Sequence, residues 1–293
     1  MKPAPFLMLR PMSVDEALHQ LAEAGDSGKL IAGGQSLIPL LNLRLVRAEV
    51  IIDIGRIESL RNISLEESGS SILRIGAGTR HYEIAESIVV AESVPLLSHA
   101  AGLIGHRAIR SRGTIGGSLA HFDSLAEYPL VLLALGARVN VQSLRGVRSI
   151  PMEDFLKSIF TTALIEDEII IDVEVPIPLK QMGWGIAEHS RRPGDFAVAA
   201  AAALVEITDG AVSAAKIATI GHPDGPFLHD EFSRNMIGKS LDTLEVFSCA
   251  EKISESSKVI SDSAFSKSAR RRILRTVLVD ALEDARLRSQ GQK

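Results

Sequence analysis

The stretch AGGQSLIPLLNLRL, residues 32–45, organises the first part of the chain. It follows an apolar run at residues 29–32 and precedes a second one, EVIIDI, at residues 49–54. Both runs favour strands, whereas the leucines between them recur at helical spacing. Ser36 is a good N-cap for that helix, and Pro39 is tolerated in its first turn. The first 55 or so residues therefore predict a small βαβ-like unit.

The rest of the chain predicts further strands and helices on both sides of a proline-marked boundary. The glycine-rich segment at residues 110–120 is expected to be a loop, and a buried helix is expected at residues 124–135. Pro176 and Pro178 mark the best candidate for a domain boundary. Beyond them we expect three strands, with a hairpin turn at Asp209 and Gly210. Helices at residues 244–258 and 268–287 are expected to end the chain.

Composition and charge exclude several classes of function. The 293 residues carry a net charge of −4, with 46% hydrophobic, 23% charged and 4% aromatic residues. Such a chain has neither the basic excess nor the aromatic platform of a nucleic-acid-binding protein. Its apolar runs are too short to span a bilayer, and its start, MKPAPFLMLRPM, has no signal-peptide cleavage pattern. We expect a cytoplasmic protein without membrane insertion or bound nucleic acid.

A single cysteine, Cys249, limits the metal and redox chemistry of the chain. One thiol excludes a disulfide framework, a four-cysteine zinc site and a self-contained iron–sulfur cluster. The eight histidines are scattered and form no H-E-x-x-H pair. We therefore expect no metal site, and no residue pattern predicts a catalytic nucleophile or base.

Two glycine-containing loops are the candidate binding elements. Glycine lets a ligand touch the main chain, and successive N–H groups can converge on an anion such as a pyrophosphate. Ser36 at a helix start adds the positive end of a helix dipole. The alternative is that both loops are tight turns packed against their neighbours, and the residues alone leave this open. The loops comprise Ala32, Gly33, Gly34, Gln35 and Ser36, and Thr114, Ile115, Gly116, Gly117 and Ser118.

Two acidic residues follow the second loop. Asp123 and Glu127 are four residues apart and are expected to share a face at the start of a helix. They either compensate the helix dipole or accept hydrogen bonds from ribose or ribityl hydroxyls. The turn SRRPGDFA, residues 190–197, is either solvated or in contact with a cofactor or partner. The dinucleotide fingerprint is absent, because His81 stands where its third glycine is needed.

Three segments together resemble the FAD-binding medium subunits of the molybdenum hydroxylases. They are AGGQSLIPLLNLRL, IRSRGTIGGSLAH at residues 109–121 and SRRPGDFA. This is the family of xanthine dehydrogenase, aerobic carbon monoxide dehydrogenase and the N-heterocycle dehydrogenases, and the resemblance covers essentially the whole chain. It implies an α+β fold: a two-subdomain FAD-binding (PCMH-type) domain, then a C-terminal domain of a three-stranded antiparallel sheet with helices. The implied domains are residues 1–178, with subdomains of about 1–55 and 56–178, and residues 179–293.

The resemblance also implies a function. The two loops match motifs that hold the FAD pyrophosphate, and Asp123 and Glu127 match acidic positions near the cofactor. The chain is implied to be an oxidoreductase subunit that passes electrons from partner clusters through FAD to an external acceptor. Its implied partners, in an (αβγ)2 assembly, are a large subunit with molybdopterin cytosine dinucleotide and a small subunit with two 2Fe-2S clusters. A stand-alone FAD-dependent oxidoreductase and a non-enzymatic nucleotide-binding scaffold remain alternatives.

Departures from the family pattern lie close to these motifs. The segment HFDSLAEYP replaces the HADPAAELP of many relatives, which makes Phe122 and Ser124 unusual but keeps the acidic spacing. Ala187 stands where xanthine-oxidising relatives can have a lysine near the flavin, so that direct use of NAD is less assured.

Overall fold

The N-terminal sequence forms a three-stranded parallel sheet, which confirms the βαβ-like pattern. The computed structural model describes residues 2–66 and 71–292. The central strand β3 pairs with β1 on one side and with β2 on the other. Helix α1 begins at a Ser13 N-cap whose side chain accepts a hydrogen bond from the Glu16 N–H. The elements are β1 (Leu7–Leu9), α1 (Val14–Ala24), β2 (Gly28–Ile31), α2 (Leu37–Asn42) and β3 (Val50–Asp53).

The next region is a five-stranded antiparallel sheet with helices inserted between its strands. The strand order is β4-β5-β10-β6-β7, so the last strand in sequence lies at the centre of the sheet. Its elements are β4 (Ile63–Glu66), β5 (Ile72–Gly76), α3 (His81–Ala85), α4 (Ile88–Ser93), α5 (Pro95–Leu103), α6 (Arg107–Arg110), α7 (Ile115–His121), α8 (Glu127–Leu135), β6 (Arg138–Ser143), β7 (Gly146–Pro151), α9 (Met152–Phe155), β8 (Leu156–Ser158), β9 (Thr161–Thr162) and β10 (Ile169–Pro176).

The C-terminal region is an antiparallel sheet followed by helices. The three expected strands are present in the order β11-β12-β13, and a two-residue strand, β14, extends the sheet at the β13 edge. The turn between β12 and β13 has positive φ at both Asp209 and Gly210, as its hairpin signal predicts. The elements are β11 (Met182–Ser190), β12 (Ala197–Thr208), β13 (Ala211–Ile220), β14 (Phe227–Leu228), α10 (Asp230–Met236), α11 (Thr243–Ser256) and α12 (Lys267–Ser289).

Strand β12 is buried on both faces, which explains its run of alanines. Ala200, Ala202 and Leu204 belong to the core that contains α5 and α8 of the preceding region. Ala201 and Ala203 face the other way and belong to the core formed with α11 and α12. Helices therefore cover both sides of this sheet, and small side chains let them approach it closely. One continuous core joins the C-terminal sheet to the region that precedes it.

The structure corrects two boundaries expected from the sequence. Residues 115–121 form α7, whereas we expected a loop throughout residues 110–120. Helix α8 begins at Glu127, three residues later than the expected start, because Asp123 and Ser124 lie in a turn that precedes it. The short helices α4, α6, α9 and α10 were not predicted. Within residues 2–66 and 71–292, no helix has both the length and the apolar character needed to cross a membrane.

Candidate functional site

A cleft with a volume of about 360 Å³ lies between the loop after β2 and the segment that contains α7 and the start of α8. All but one of the residues singled out from the sequence line this cleft, the exception being Ile115, whose side chain is fully buried. Those that line it are Ala32, Gly33, Gly34, Gln35, Ser36, Thr114, Gly116, Gly117, Ser118, Asp123 and Glu127. The fold therefore brings two loops about 80 residues apart in sequence to one site.

The first loop packs against the second through main chain alone. A Cβ placed on Gly33 would lie 2.2 Å from the carbonyl oxygen of Arg112 and 2.7 Å from the Cα of Gly113. Real Cβ atoms do not approach backbone so closely, so only glycine fits at position 33 without a shift of one loop. Gly33 is thus packed tightly against the second loop.

The N–H groups of the second loop are used inside the protein. Gly116 donates to the carbonyl oxygen of Ala77 at 2.9 Å, and Ile115 donates to that of Thr79 at 3.1 Å. Gly117 donates to the Thr114 hydroxyl at 3.1 Å, which makes Thr114 the N-cap of α7. The expectation that backbone donors of both loops converge on a ligand is therefore wrong for these three N–H groups.

The first loop, in contrast, offers a run of uncommitted donors. Among the described residues, the backbone N–H groups of residues 33–37 have no backbone acceptor. Gly34 has φ of +73°, a conformation that lets successive N–H groups point to the same side. Ser36 is exposed and its side chain makes no capping hydrogen bond, contrary to our expectation. Because α2 has only six residues, we assign no role to its dipole. The donors themselves form the candidate anion site.

Asp123 and Glu127 reach the cleft from different local structures. Asp123 lies in the turn before α8, where its Oδ1 accepts a hydrogen bond from the Leu125 N–H at 2.9 Å. Glu127 is the first residue of α8 and is only 6% exposed. The two residues therefore do not share a helix face, because the helix starts too late for that. Both nevertheless line the same cleft.

Comparison with protein families assigns both parts of the chain. Residues 4–178 match the model of the FAD binding domain in molybdopterin dehydrogenase. Residues 186–285 match the model of the CO dehydrogenase flavoprotein C-terminal domain. The chain belongs to this family. It is a medium, FAD-binding subunit of the molybdenum hydroxylase-type dehydrogenases.

Individual relatives align over the whole length of this flavoprotein subunit. It is 38% identical over 294 residues to the 6-hydroxypseudooxynicotine dehydrogenase complex subunit alpha of Paenarthrobacter nicotinovorans, covering 100% of this chain and 98% of that one. It is 35% identical to the glyceraldehyde dehydrogenase medium chain of Sulfolobus acidocaldarius, over 97% and 99% of the two chains. A chain of the quinoline 2-oxidoreductase structure from Pseudomonas putida 86 superposes with a TM-score of 0.93 at 34% identity, covering 100% and 99%.

Burial gives Glu127 of the flavoprotein subunit unusual acid–base behaviour. Burial raises the pKa of its carboxyl to about 7, and the negative charges of Glu188 and Asp123 act in the same direction. Glu188, on β11, has a buried Oε2 without a hydrogen-bond partner, and burial also raises the pKa of its carboxyl. Two acidic groups near the cleft therefore retain protons closer to neutral pH than free carboxyls do.

Sequence reasoning missed His81, which lines the cleft as the first residue of α3. The residue is 4% exposed, its Nδ1 has no hydrogen-bond partner, and its ring lies edge-on to that of Tyr128 with centroids 5.3 Å apart. Burial, with a contribution from the Arg110 charge, lowers the pKa of the imidazole to about 4. A neutral histidine thus faces the cleft. The sequence feature that could have pointed to His81 is its position a few residues after Gly76, where the strand β5 ends.

The turn at residues 190–197 reaches the cleft through Phe196, which lines it and is 59% exposed. Gly194 in the same turn lies against the ring of His106, where a Cβ would come within 2.4 Å of the imidazole Cε1. Phe122, which departs from the family pattern, is fully buried directly after α7 with φ of 42°. It is adjacent in sequence to Asp123, which lines the cleft.

Proposed function

We propose that this cleft holds FAD and that the subunit passes electrons from 2Fe-2S clusters of a partner chain to an external acceptor. The observation that carries the proposal is the run of backbone donors at residues 33–37, which have no backbone acceptor among the described residues and line the cleft. A hydrogen bond to a charged group contributes about 1.5–3 kcal/mol, so several such donors suit a pyrophosphate.

Each proposed contact follows from the chemistry of the lining residues. The N–H groups of Gly33, Gly34, Gln35 and Ser36 suit the pyrophosphate, together with the hydroxyl of Ser118, whose side chain is half-buried at the cleft. Carboxylates accept hydrogen bonds from ribityl or ribose hydroxyls, and Asp123 and Glu127 supply them. Ala32, Thr114, Gly116 and Gly117 shape the wall, and Ile115 supports it from the core.

Bound FAD supplies the redox chemistry, and the chain's own residues hold it and exclude water. In the described part of the chain, no three His, Cys, Asp or Glu side chains are placed to hold a metal ion. Two 2Fe-2S clusters need about eight ligands, and one cysteine is present in the whole sequence. We therefore place the clusters in a small subunit and molybdopterin cytosine dinucleotide in a large one, within an (αβγ)2 complex. A location in the cytoplasm stays a prediction, as does the division into residues 1–178 and 179–293.

The cofactor assignment is tested by titrating the FAD-free chain with FAD and following the quenching of flavin fluorescence. We expect one FAD per chain. Ser118→Ala should weaken binding, and Glu127→Gln should change its pH dependence. Ser98→Ala is the matched control, because Ser98 lies on α5 outside the cleft and donates to the Ala85 carbonyl. A chain that folds normally and takes up no FAD contradicts the proposal and supports the scaffold alternative.

The partner assignment needs the native complex. An affinity tag on this chain should recover two further polypeptides, with molybdenum and iron in the purified material. Removal of those chains should abolish turnover of the organic substrate while FAD stays bound. Full turnover by this chain alone would establish the stand-alone oxidoreductase instead.

A further inference from the structure

A second cavity, of about 490 Å³, lies in the C-terminal region between the β13–β14 connection and the end of α11. Four rings line it: His222, Phe227, His229 and Phe232. The Phe227 ring lies 5.1 Å from that of His229 and 5.7 Å from that of His222, measured between centroids. The ring of Phe232 lies 6.2 Å from that of His229. These four residues form an aromatic cage.

The two imidazoles of the cage are neutral. Burial lowers the pKa of His229 to about 3 and also lowers that of His222. The hydroxyl of the fully buried Thr219 lies 2.7 Å from the Nε2 atom of each ring. A hydroxyl has one proton, so it donates to one imidazole and accepts from the other. The cage thus offers ring faces and lone pairs, without positive charge of its own.

His222 also bonds to the backbone of Lys258, just after α11. Together with the Thr219 hydroxyl, this contact holds the imidazole in place at the wall of the cavity.

Charge around the cage is predominantly negative. Asp224, Asp230 and Glu231 line the cavity, and Lys258 is its one cationic lining residue among those described. Asp230 lies 3.6 Å from Lys216, but both side chains are about half exposed, so the pair contributes little. An anion is disfavoured at such a rim, whereas a cation is attracted to it.

We propose that this aromatic cage binds a small organic ammonium ion. A cation over an aromatic face is attracted by the ring quadrupole, and aromatic cages are the usual recognition site for alkylated ammonium groups. The exposed Phe227 ring forms the outer wall, 56% exposed, while the buried His229 forms the floor. This cavity shares no lining residue with the cleft described above.

The test is calorimetric titration of the full-length chain with choline and with its neutral carbon isostere, 3,3-dimethyl-1-butanol. We expect saturable binding of choline and binding of the neutral isostere that is about tenfold weaker or more, because only the cation is attracted to the ring faces. Phe227→Ala should raise the Kd for choline about three- to tenfold. Asp224→Asn should raise it as well, more strongly at low salt.

Two control variants separate this site from general surface effects. Phe247→Ala removes a ring of similar exposure, 52%, on α11 outside the cavity, and Asp280→Asn removes an exposed carboxylate on α12. Both should leave choline binding unchanged. Equal affinity for choline and its isostere overturns the proposal, as does the absence of saturable choline binding. Choline binding that survives Phe227→Ala unaltered also overturns it, because the ion then binds elsewhere.

Discussion

Phe122 packs directly against the backbone of Gly225, where a Cβ would come within 2.9 Å of the Phe122 Cζ atom. Phe122 ends α7 and precedes Asp123, which lines the cofactor cleft. Gly225 belongs to the C-terminal region, between β13 and β14. The turn that carries Asp123 is therefore held in place by a part of the chain about 100 residues away.

Phe122→Ala should destabilise the protein by about 3–5 kcal/mol, because it removes a fully buried ring and leaves a cavity. The neighbouring Gly225 has no side chain that could fill this cavity. The measurement is urea unfolding of the FAD-free chain. The matched control is Phe247→Ala, whose ring is 52% exposed and whose loss should change the free energy of unfolding by less than about 0.5 kcal/mol. Equal effects of the two substitutions would refute the packing argument.

Gly33→Ala should lower the free energy of unfolding by about 1–3 kcal/mol, since its Cβ would lie 2.2 Å from the Arg112 carbonyl oxygen and one loop must shift. The control is Gly102→Ala on α5, where a Cβ meets nothing within 4 Å. That change should be neutral or stabilising by about 0.5–1 kcal/mol, because alanine favours the helix. Chemical denaturation compares both variants, and a Gly33→Ala protein as stable as the parent contradicts the prediction.

Thr114→Ala should cost about 1 kcal/mol, because it removes the hydroxyl that caps α7 by accepting from the Gly117 N–H. Ser36→Ala is a control at the equivalent position of α2, where the side chain makes no capping hydrogen bond. It should change stability by less than about 0.5 kcal/mol. Thermal unfolding followed by circular dichroism measures both. A larger effect at Ser36 than at Thr114 is incompatible with the assigned caps.

Glu127 should make the FAD-free protein less stable as the pH rises. Below its ordinary pKa of 4.5 the carboxyl is protonated in the folded and in the unfolded chain, so its burial does not reduce the free energy of unfolding. Above that pH the carboxyl of the unfolded chain ionises, whereas the folded chain keeps its proton up to a pKa of about 7. Up to about 3 kcal/mol of stability is therefore lost as the pH rises through the folded-state pKa.

Glu127→Gln should remove this part of the pH dependence, so that its stability relative to the parent increases between about pH 5 and pH 8. The exposed Glu255→Gln serves as the control and should follow the parent. Urea midpoints across that pH range give the answer. Parallel curves for the parent and Glu127→Gln would show that folding does not raise the pKa of the Glu127 carboxyl.

Arg288→Ala should alter the fluorescence of Trp184, the one tryptophan of the chain. The Arg288 guanidinium lies 3.7 Å from the centroid of the Trp184 ring and donates to the Trp184 carbonyl oxygen at 2.5 Å. Its loss should cost about 1–2 kcal/mol and shift the emission to longer wavelength as water reaches the ring. Arg286→Ala, which breaks an ion pair with Glu283 one turn away, should leave the emission unchanged.

The glycine loops, the alternation of strands and helices and the hairpin at Asp209 were predictable because their signals are local. Helix α7 was not, because residues 115–121 contain two glycines and have low intrinsic helix propensity. It forms because Ala77 and Thr79 accept hydrogen bonds from its first turn. Those acceptors are about 40 residues away, and no local pattern reports them.

The part of the candidate site that was missed depends on the same kind of contact. His81 and Glu188 have no motif around them, and their unusual environments arise from burial by distant segments. The alanines of β12 were ambiguous for a related reason, since a strand covered on both faces loses its alternation of polar and apolar residues. The helix start at Glu127 was misjudged because the apolar run extends into the preceding turn.

The contact between Gly33 and Arg112 has a consequence for how the cofactor is retained. Both surfaces are main chain and have no rotamers to choose among, so we expect this wall of the cleft to change little when a ligand enters. A preorganised wall costs little conformational entropy on binding. The subunit is therefore suited to keep its flavin through many cycles of reduction and reoxidation, as a tightly held prosthetic group and not as a dissociable cosubstrate.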